Sequence, residues 1–345
     1  MAHGITKTDH MAYAGQTPWH EIGTPVKDTL TPEEMAEAAK LGWTIEVAPL
    51  RFIGLDLKEH TVPQRVMFRS DTLDVLDVVG PKYVPAQNAQ ILAFFREYVK
   101  TGDMKLDTAG SLWGGRWVWG LAKLKDGFTL CEGDTVKGHL LVANPNRYGS
   151  GIVVKFVAER VVCHNTLTTA LGEKDGRTIV IAHDREFDEP AREDAARRIG
   201  LARDSVATFK AEALKFAETK FSDKQVTRVI SKTFRVSLNN EEQFAVDKRV
   251  TKRIKELYHG QAIGAALPSA AGTAWGLLNA VTQYVDHEHG RSQDTRLRRS
   301  WFGSGERTKR RARQAIWQEV DASPTVVVAS SKPASKGRST AQTTK

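Results

Sequence analysis

The chain has 345 residues, 41% of them hydrophobic and 26% charged, with a formal net charge of +9. That composition fits a soluble globular protein with a polar tail, long enough for one large domain or two ordinary ones. No apolar run approaches the roughly 18 residues that span a bilayer. The N-terminal stretch lacks the charged-then-apolar layout of a secretory signal, so a cytoplasmic protein is expected.

Residues 1–30 read as loop, with Gly15, Pro18, Gly23 and Pro25. Thr31–Gly42 predicts a short helix: Thr31 caps it, Pro32 takes its first turn, Glu33 and Glu34 favour its positive end and Gly42 stops it. WTIEVAPLRFIG and TVPQRVMFRS follow as strands, and Asn88–Gly102 as an amphipathic helix capped by Asn88. Residues 104–163 predict an antiparallel β-meander, with Gly114-Gly115 suited to a tight hairpin turn. Asn165 is placed to cap a short helix ended by Gly172.

The remainder predicts helices. Glu189–Phe221 carries a stripe of Ile199, Ala202, Val206, Phe209, Ala213 and Phe216. Ser222 and Gln225 have capping-box spacing, and NEEQFAVDKRVTKRIKELYHG reads as a helix stopped by Gly260. The fold class expected is α+β: an antiparallel meander with flanking helices over 1–172, a mainly helical region packing on it over 173–320, and a disordered basic tail over 321–345.

The two cysteines, Cys131 and Cys163, form no CxxC pair, which disfavours a zinc ribbon or thioredoxin-type site and leaves both as buried reduced thiols. Cys163 and His164 are neighbours on a predicted strand, where side chains point apart, so they make a poor nucleophile–base pair.

Three constellations carry chemistry. The first is YVDHEHG, at the end of a helix that is apolar nearly all round. On that helix Asn279, Thr282, Gln283 and Asp286 form one narrow polar stripe, which should face a hydrogen-bond network or a ligand. Asp286, His287 and His289 are metal-ligand types, but a helix turns His287 and His289 about 200° apart, which makes them weak candidates. No other ligand set completes them, and no cofactor is expected.

The second is a hairpin bearing Trp113, Arg116, Trp117 and Trp119. Trp117 and Trp119 alternate, so they share a sheet face. Exposed, that face is a base-stacking platform; covered, it is core.

The third is the C-terminal charge. Residues 291–345 hold thirteen Lys/Arg and four Asp/Glu, a net of 13 − 4 = +9, so the other 290 residues balance at zero. Within it, Arg296, Arg298, Arg299, Arg307, Lys309, Arg310, Arg311 and Arg313 surround Trp301 and two glycines. Such a pattern suits phosphate contacts with base stacking by Trp301. GSGERTK lacks the Gly-Lys-Ser/Thr ending of a P-loop.

The segments TPWHEIGTPV, DTAGSLWGGRWVW, ERVVCHNTLTTAL, GTAWGLLNAVTQYVDH and SWFGSG, in this order over about residues 10–315, resemble the phage- and plasmid-related family called domain of unknown function 932. The resemblance implies a mobile-element gene product in a bacterial host and no known reaction. A meander followed by helices is also loosely similar to phage single-strand annealing proteins, by fold-level analogy alone. The expected partner is nucleic acid, single-stranded DNA first, in recombination or replication, with no membrane and with a homo-oligomer possible. The alternatives are a metal-dependent enzyme acting on nucleic acid, centred on Asp286, His287 and His289 with Asn279 and Gln283, and a non-catalytic host-interaction protein.

Overall fold

A computed structural model of the chain describes residues 6–15, 23–160, 165–167, 178–199, 202–234, 236–237, 244–245, 248–289 and 303–322. In chain order the elements are β1 (Met11–Ala14), β2 (Thr24–Val26), α1 (Pro32–Ala38), β3 (Ile45–Ile53), β4 (Glu59–Arg69), β5 (Val75–Val79), α2 (Asn88–Ala93) and α3 (Arg96–Lys100). Then come β6 (Met104–Leu112), β7 (Trp117–Cys131), β8 (Asp134–Pro145), β9 (Ile152–Arg160), β10 (Asn165–Leu167) and β11 (Thr178–Ile181). The last part holds α4 (Glu189–Ile199), α5 (Ala202–Glu218), α6 (Asp223–Thr233), β12 (Val236–Ser237), β13 (Phe244–Ala245), α7 (Lys248–Glu256), α8 (Ala274–Gln283) and α9 (Ser304–Asp321). The fold is α+β, β-rich in its first half and helical in its second.

The meander β6–β7–β8–β9 is the centre of an eight-stranded sheet ordered β10-β9-β8-β7-β6-β1-β2, with β11 also on β9. Side-chain alternation gives that sheet two apolar faces. Val118, Ala122, Leu140, Val142, Val154 and Phe156 face the main core. Trp119, Leu121, Leu141, Ala143 and Val157 face a smaller second cluster. The main core runs on into the helices through Phe209, Phe216, Trp275 and Ile316. Along α5, Val206, Phe209, Ala213 and Phe216 are buried as their spacing predicts, and Phe209 stands between Phe128 and Trp275 at centroid distances of 6.0 and 6.2 Å.

Local signals explain several ends. Thr31 and Glu34 form a reciprocal capping box on α1, as Ser222 and Gln225 do on α6. Other expectations are corrected. The segment 1–30 contributes β1 and β2 to the sheet edge, because β6 supplies β1 with a ladder that its own sequence does not announce. The stretch 88–102 breaks into α2 and α3, and Gln87 rather than Asn88 is the N-cap, its backbone amide donating to Gln90 Oε1 at 2.8 Å. Asn88 is buried, its amide donating to Leu41 O and Trp43 O. Asn165 pairs with Arg160 in β10 instead of capping a helix. Phe244–Ala245 is strand rather than helix, paired with Val236–Ser237. Cys131 is half-buried and donates to Ser269 Oγ at 3.3 Å, while Cys163 and His164 lie outside the described residues.

Every residue of α8 is buried. Thr273 caps it, accepting from Gly276 N at 3.0 Å, and Trp275 Nε1 donates to the buried Asp134 carboxylate at the β7–β8 turn, 3.1 Å away. A Cβ on Gly276 would overlap the Ala270 carbonyl. Ala for Gly inside a helix ordinarily gains about 1 kcal/mol. Here Gly276→Ala is expected to lose about 2 kcal/mol through overpacking, read as a lowered urea midpoint at unchanged slope.

Candidate nucleic-acid interface

One carboxylate organises the turn between β6 and β7. Asp9, 4% exposed, accepts from Gly114 N at 2.7 Å, Gly115 N at 2.9 Å and Ser111 Oγ at 2.7 Å. It also accepts from the Thr6 amide and hydroxyl at 2.9 and 2.8 Å. Trp113, Gly114 and Gly115 have φ of 54°, 72° and 87°, three left-handed residues in a row. The glycines adopt that region freely, whereas Trp113 costs about 1 kcal/mol. Gly115 is required for a second reason: a Cβ there would sit 2.7 Å from the Trp43 ring. Arg69 stacks over that ring at 4.2 Å and donates to Thr8 O at 3.1 Å. On the other side, Asn146 Nδ2 donates to Gly115 O at 2.7 Å, and Asn144 Nδ2 donates to Asn146 Oδ1 at 2.8 Å.

The turn so held forms one wall of a groove of about 530 Å³. Trp113, Arg116 and Trp117 line it with Asn146 and Arg147, and Val75–Val78 of β5 line the opposite side. Arg116 and Arg147 are exposed, and Trp113 and Trp117 are half-buried. Tyr148 is 63% exposed beside them. Asp77, the one acid among the described residues of the lining, has its two oxygens on backbone amides, Val78 N and Tyr148 N, each at 2.9 Å. Half-buried indole faces beside guanidinium forks can stack bases and contact phosphates.

Of the hairpin residues singled out in the sequence, Arg116 and Trp117 therefore meet in one groove, and Trp119 does not. Trp119 is 3% exposed within the second core cluster, its Nε1 donating to Thr108 Oγ1 at 3.4 Å. It packs the sheet face instead of presenting a ring to solvent.

The basic segment divides by helical phase. On α9, Arg307 and Arg311 are exposed and Arg310 is half-buried. Lys309 and Arg313 fall on the inward stripe with Ala312 and Ile316 and are buried. Lys309 donates to Asp286 at 2.8 Å, and Arg313 is paired with Glu212 on α5. These two cations hold α9 to the protein, which corrects their reading as phosphate contacts. Arg296, Arg298, Arg299 and Trp301 lie outside the described residues.

The polar stripe of α8 is satisfied within the chain. Asn279 Nδ2 donates to Trp275 O at 2.9 Å, Thr282 Oγ1 to Leu278 O at 2.8 Å, and Gln283 Oε1 accepts from Ile263 N at 3.0 Å. The YVDHEHG motif is shared among separate partners: Asp286 with Lys309, Glu288 with Arg253 at 2.6 Å, and His289 with the Tyr284 hydroxyl at 3.3 Å. The helix passes through a π-helical turn over Tyr284–Glu288 and ends at an extended His289. Among the described residues, no group of three or more His, Cys, Asp or Glu is placed to hold a metal ion, His287 included.

Two features escaped the sequence reading. Lys248, Lys252, Lys255, His259 and Gln261 line an open groove of about 670 Å³ along α7; the run KRVTKRIK signalled it. His139, 2% exposed, stands 3.7 Å from Asp107 and 3.8 Å from Glu159. Burial holds its imidazole below the ordinary value, against the raising pull of those carboxylates. Strand register assembles this cluster, through Lys123↔His139 and Lys137↔Glu159, so no linear spacing announces it.

The sequence model of a family described as a domain of unknown function (DUF932) matches residues 75–315, well over half of the chain. The chain belongs to that family. No curated protein and no solved structure matches it.

Two stability predictions follow from how this DUF932 chain is held together. Asp9→Ala leaves three donors of the β6–β7 turn without their acceptor and is expected to cost about 2–4 kcal/mol. Asp9→Asn, which keeps one acceptor oxygen, should fall between it and the native chain in urea denaturation. Lys155 concerns pH. It is 4% exposed and 3.7 Å from Glu306 of α9, and burial depresses its pKa from 10.5 to about 8, the nearby Glu306 offsetting only part of that. Between those values the unfolded lysine still holds a proton that the folded one has released, so stability rises with pH there. Lys155→Met should therefore remove that rise, and its stability relative to the native chain should decline from pH 7 to pH 10.

Proposed function

We propose that this chain binds single-stranded nucleic acid, DNA in the first instance, as a cytoplasmic protein of a phage or plasmid that acts in recombination or replication. The supporting observation is the groove in which half-buried Trp113 and Trp117 flank exposed Arg116 and Arg147. A single strand offers unpaired base faces for the indoles and a phosphate at each nucleotide for the guanidinium groups, whereas a duplex hides its base faces. Rigidity supports the same reading, because Asp9, Trp43 and Asn146 hold the turn before any ligand arrives, which lowers the ordering cost of binding. Further phosphate neutralisation falls to Arg307, Arg310 and Arg311 on the outer side of α9 and to Arg296, Arg298 and Arg299 before it. Trp301 adds a third stacking ring.

The test is anisotropy of labelled oligothymidine and of the matching duplex across a salt series. The single strand should bind more tightly. Arg116→Ala with Arg147→Ala should lower the slope of log affinity against log salt by about 1.4, at roughly 0.7 per lost phosphate contact. Trp117→Ala should cost about 1–3 kcal/mol. No binding at low salt, or a slope unchanged by the double substitution, would refute the proposal.

A further inference from the structure

The hairpin β3–β4 extends beyond the sheet that carries it. Its partner β5 ends at Val79, paired with Arg65, so the stretch between Leu50 and Gln64 pairs only with itself. From Arg65 to Glu59 that is about 20 Å of ribbon at roughly 3.3 Å per residue. Every residue from Arg51 to Thr61 apart from Gly54 is exposed. An isolated two-stranded ribbon is marginal in water, yet this one is built with care.

Arg51 pairs with Glu59 at 2.6 Å, His60 with Asp56 at 2.9 Å, and Phe52 stacks on His60 at a centroid distance of 5.2 Å. The tip closes through Gly54 N to Lys58 O at 2.9 Å and Leu57 N to Gly54 O at 3.0 Å. Leu57 holds φ 60°, where glycine or asparagine would be unstrained, and it is 86% exposed. A branched apolar side chain is thus held in a strained position with nothing described in its own chain to pack against. Phe52, Ile53 and Leu55 join it at 53%, 75% and 106% exposure.

We infer that this tip is an interface between two copies of the chain, packed arm to arm. Three observations select a second copy. Phe52, Ile53, Leu55 and Leu57, 53–106% exposed, form an apolar patch on the order of a few hundred Å² per copy, the size that marks interaction sites, and two such patches facing each other approach the low end of specific interfaces. Charge argues against a phosphate-bearing partner: residues 51–61 hold Arg51 and Lys58 against Asp56 and Glu59, a net of zero. The tip is also self-complementary. Asp56 and Lys58 flank Leu57, so a two-fold contact that joins the leucines brings the acid of each copy toward the base of the other. The contact is independent of the groove proposed to bind nucleic acid.

Sedimentation velocity of the full chain from about 1 to 100 μM tests this. The native chain should sediment as a dimer. Leu55→Asp with Leu57→Asp should sediment as a monomer with unchanged circular dichroism, because both side chains are exposed and the fold does not use them. Leu55→Cys should yield a bismaleimide-linked dimer above the native background from Cys131 and Cys163. A native chain that stays monomeric throughout, or a dimer that the double aspartate variant leaves intact, overturns the inference. So does a monomer whose tip variant loses binding to phosphatidylcholine vesicles, which would assign the arm to a lipid surface.

Discussion

The groove exists because one buried carboxylate is closed over a turn that would otherwise have no reason to stay in place. Asp9 gathers donors from nearby Thr6 and from Ser111, Gly114 and Gly115, about a hundred residues away in sequence. A carboxylate taken from water at 4% exposure is costly unless its oxygens are filled, and here five donors, from Thr6, Ser111, Gly114 and Gly115, fill them. Those bonds also set the direction in which the chain leaves the turn. They stabilise the left-handed run Trp113–Gly115 and so put the Trp113 ring, the Arg116 guanidinium and the Trp117 ring on one side. Trp43 and Asn146 then remove the turn's remaining freedom.

The same device recurs at several places where distant parts of the chain meet. Asp134, at a β-hairpin turn, accepts from Ser269 and Trp275 and so fixes the start of α8 on the sheet. Glu212 on α5 holds Arg313, Asp286 holds Lys309, and Glu319 on α9 holds Arg228 and Lys232 of α6. Such pairs are poor sources of net stability, since desolvation consumes most of the Coulombic gain. They are good at excluding alternatives. A helix docked one turn out of register would leave two buried charges facing apolar side chains. Much of α9 could pack on almost any apolar surface through Ala312, Ala315 and Ile316, and its buried cations restrict which surface that is.

What was legible in the sequence was whatever depends on near neighbours. The capping boxes at Thr31 and Ser222, the α5 stripe and the meander with its Gly-Gly turn all rest on spacings of two to four residues. The edge strands β1 and β2 are short and loop-like in composition, and only the ladders from β6 to β1 and from β1 to β2 make them strands. Trp117 and Trp119 share a face by alternation, yet one lies at the rim of that face and the other beneath it. Alternation carries no information about where a sheet face is covered. Asp9 was not legible in this way, because a lone aspartate in a loop has no signature until its glycine partners are brought to it.

The basic segment shows why a run of like charges is not yet a binding surface. Read linearly, residues 291–313 are one block of positive charge. Wound into α9, the part from Ser304 onward splits by a hundred degrees per residue, so Arg307 and Arg311 share an outward stripe while Lys309 and Arg313 share an inward one. The inward pair is neutralised by acids from the part of the chain whose formal charge balances at zero. Positive charge available to a ligand is therefore redistributed: the tail contributes less of it than its composition suggests. Regions that looked neutral contribute more, through Arg116 and Arg147 at the groove and the lysines of α7. Among the described residues, the positive charge is spread over several modest cationic sites rather than one dense one. Under the proposed function, affinity assembled that way would depend on how many sites a flexible strand reaches at once, which would favour a long single strand over a short or stiff one.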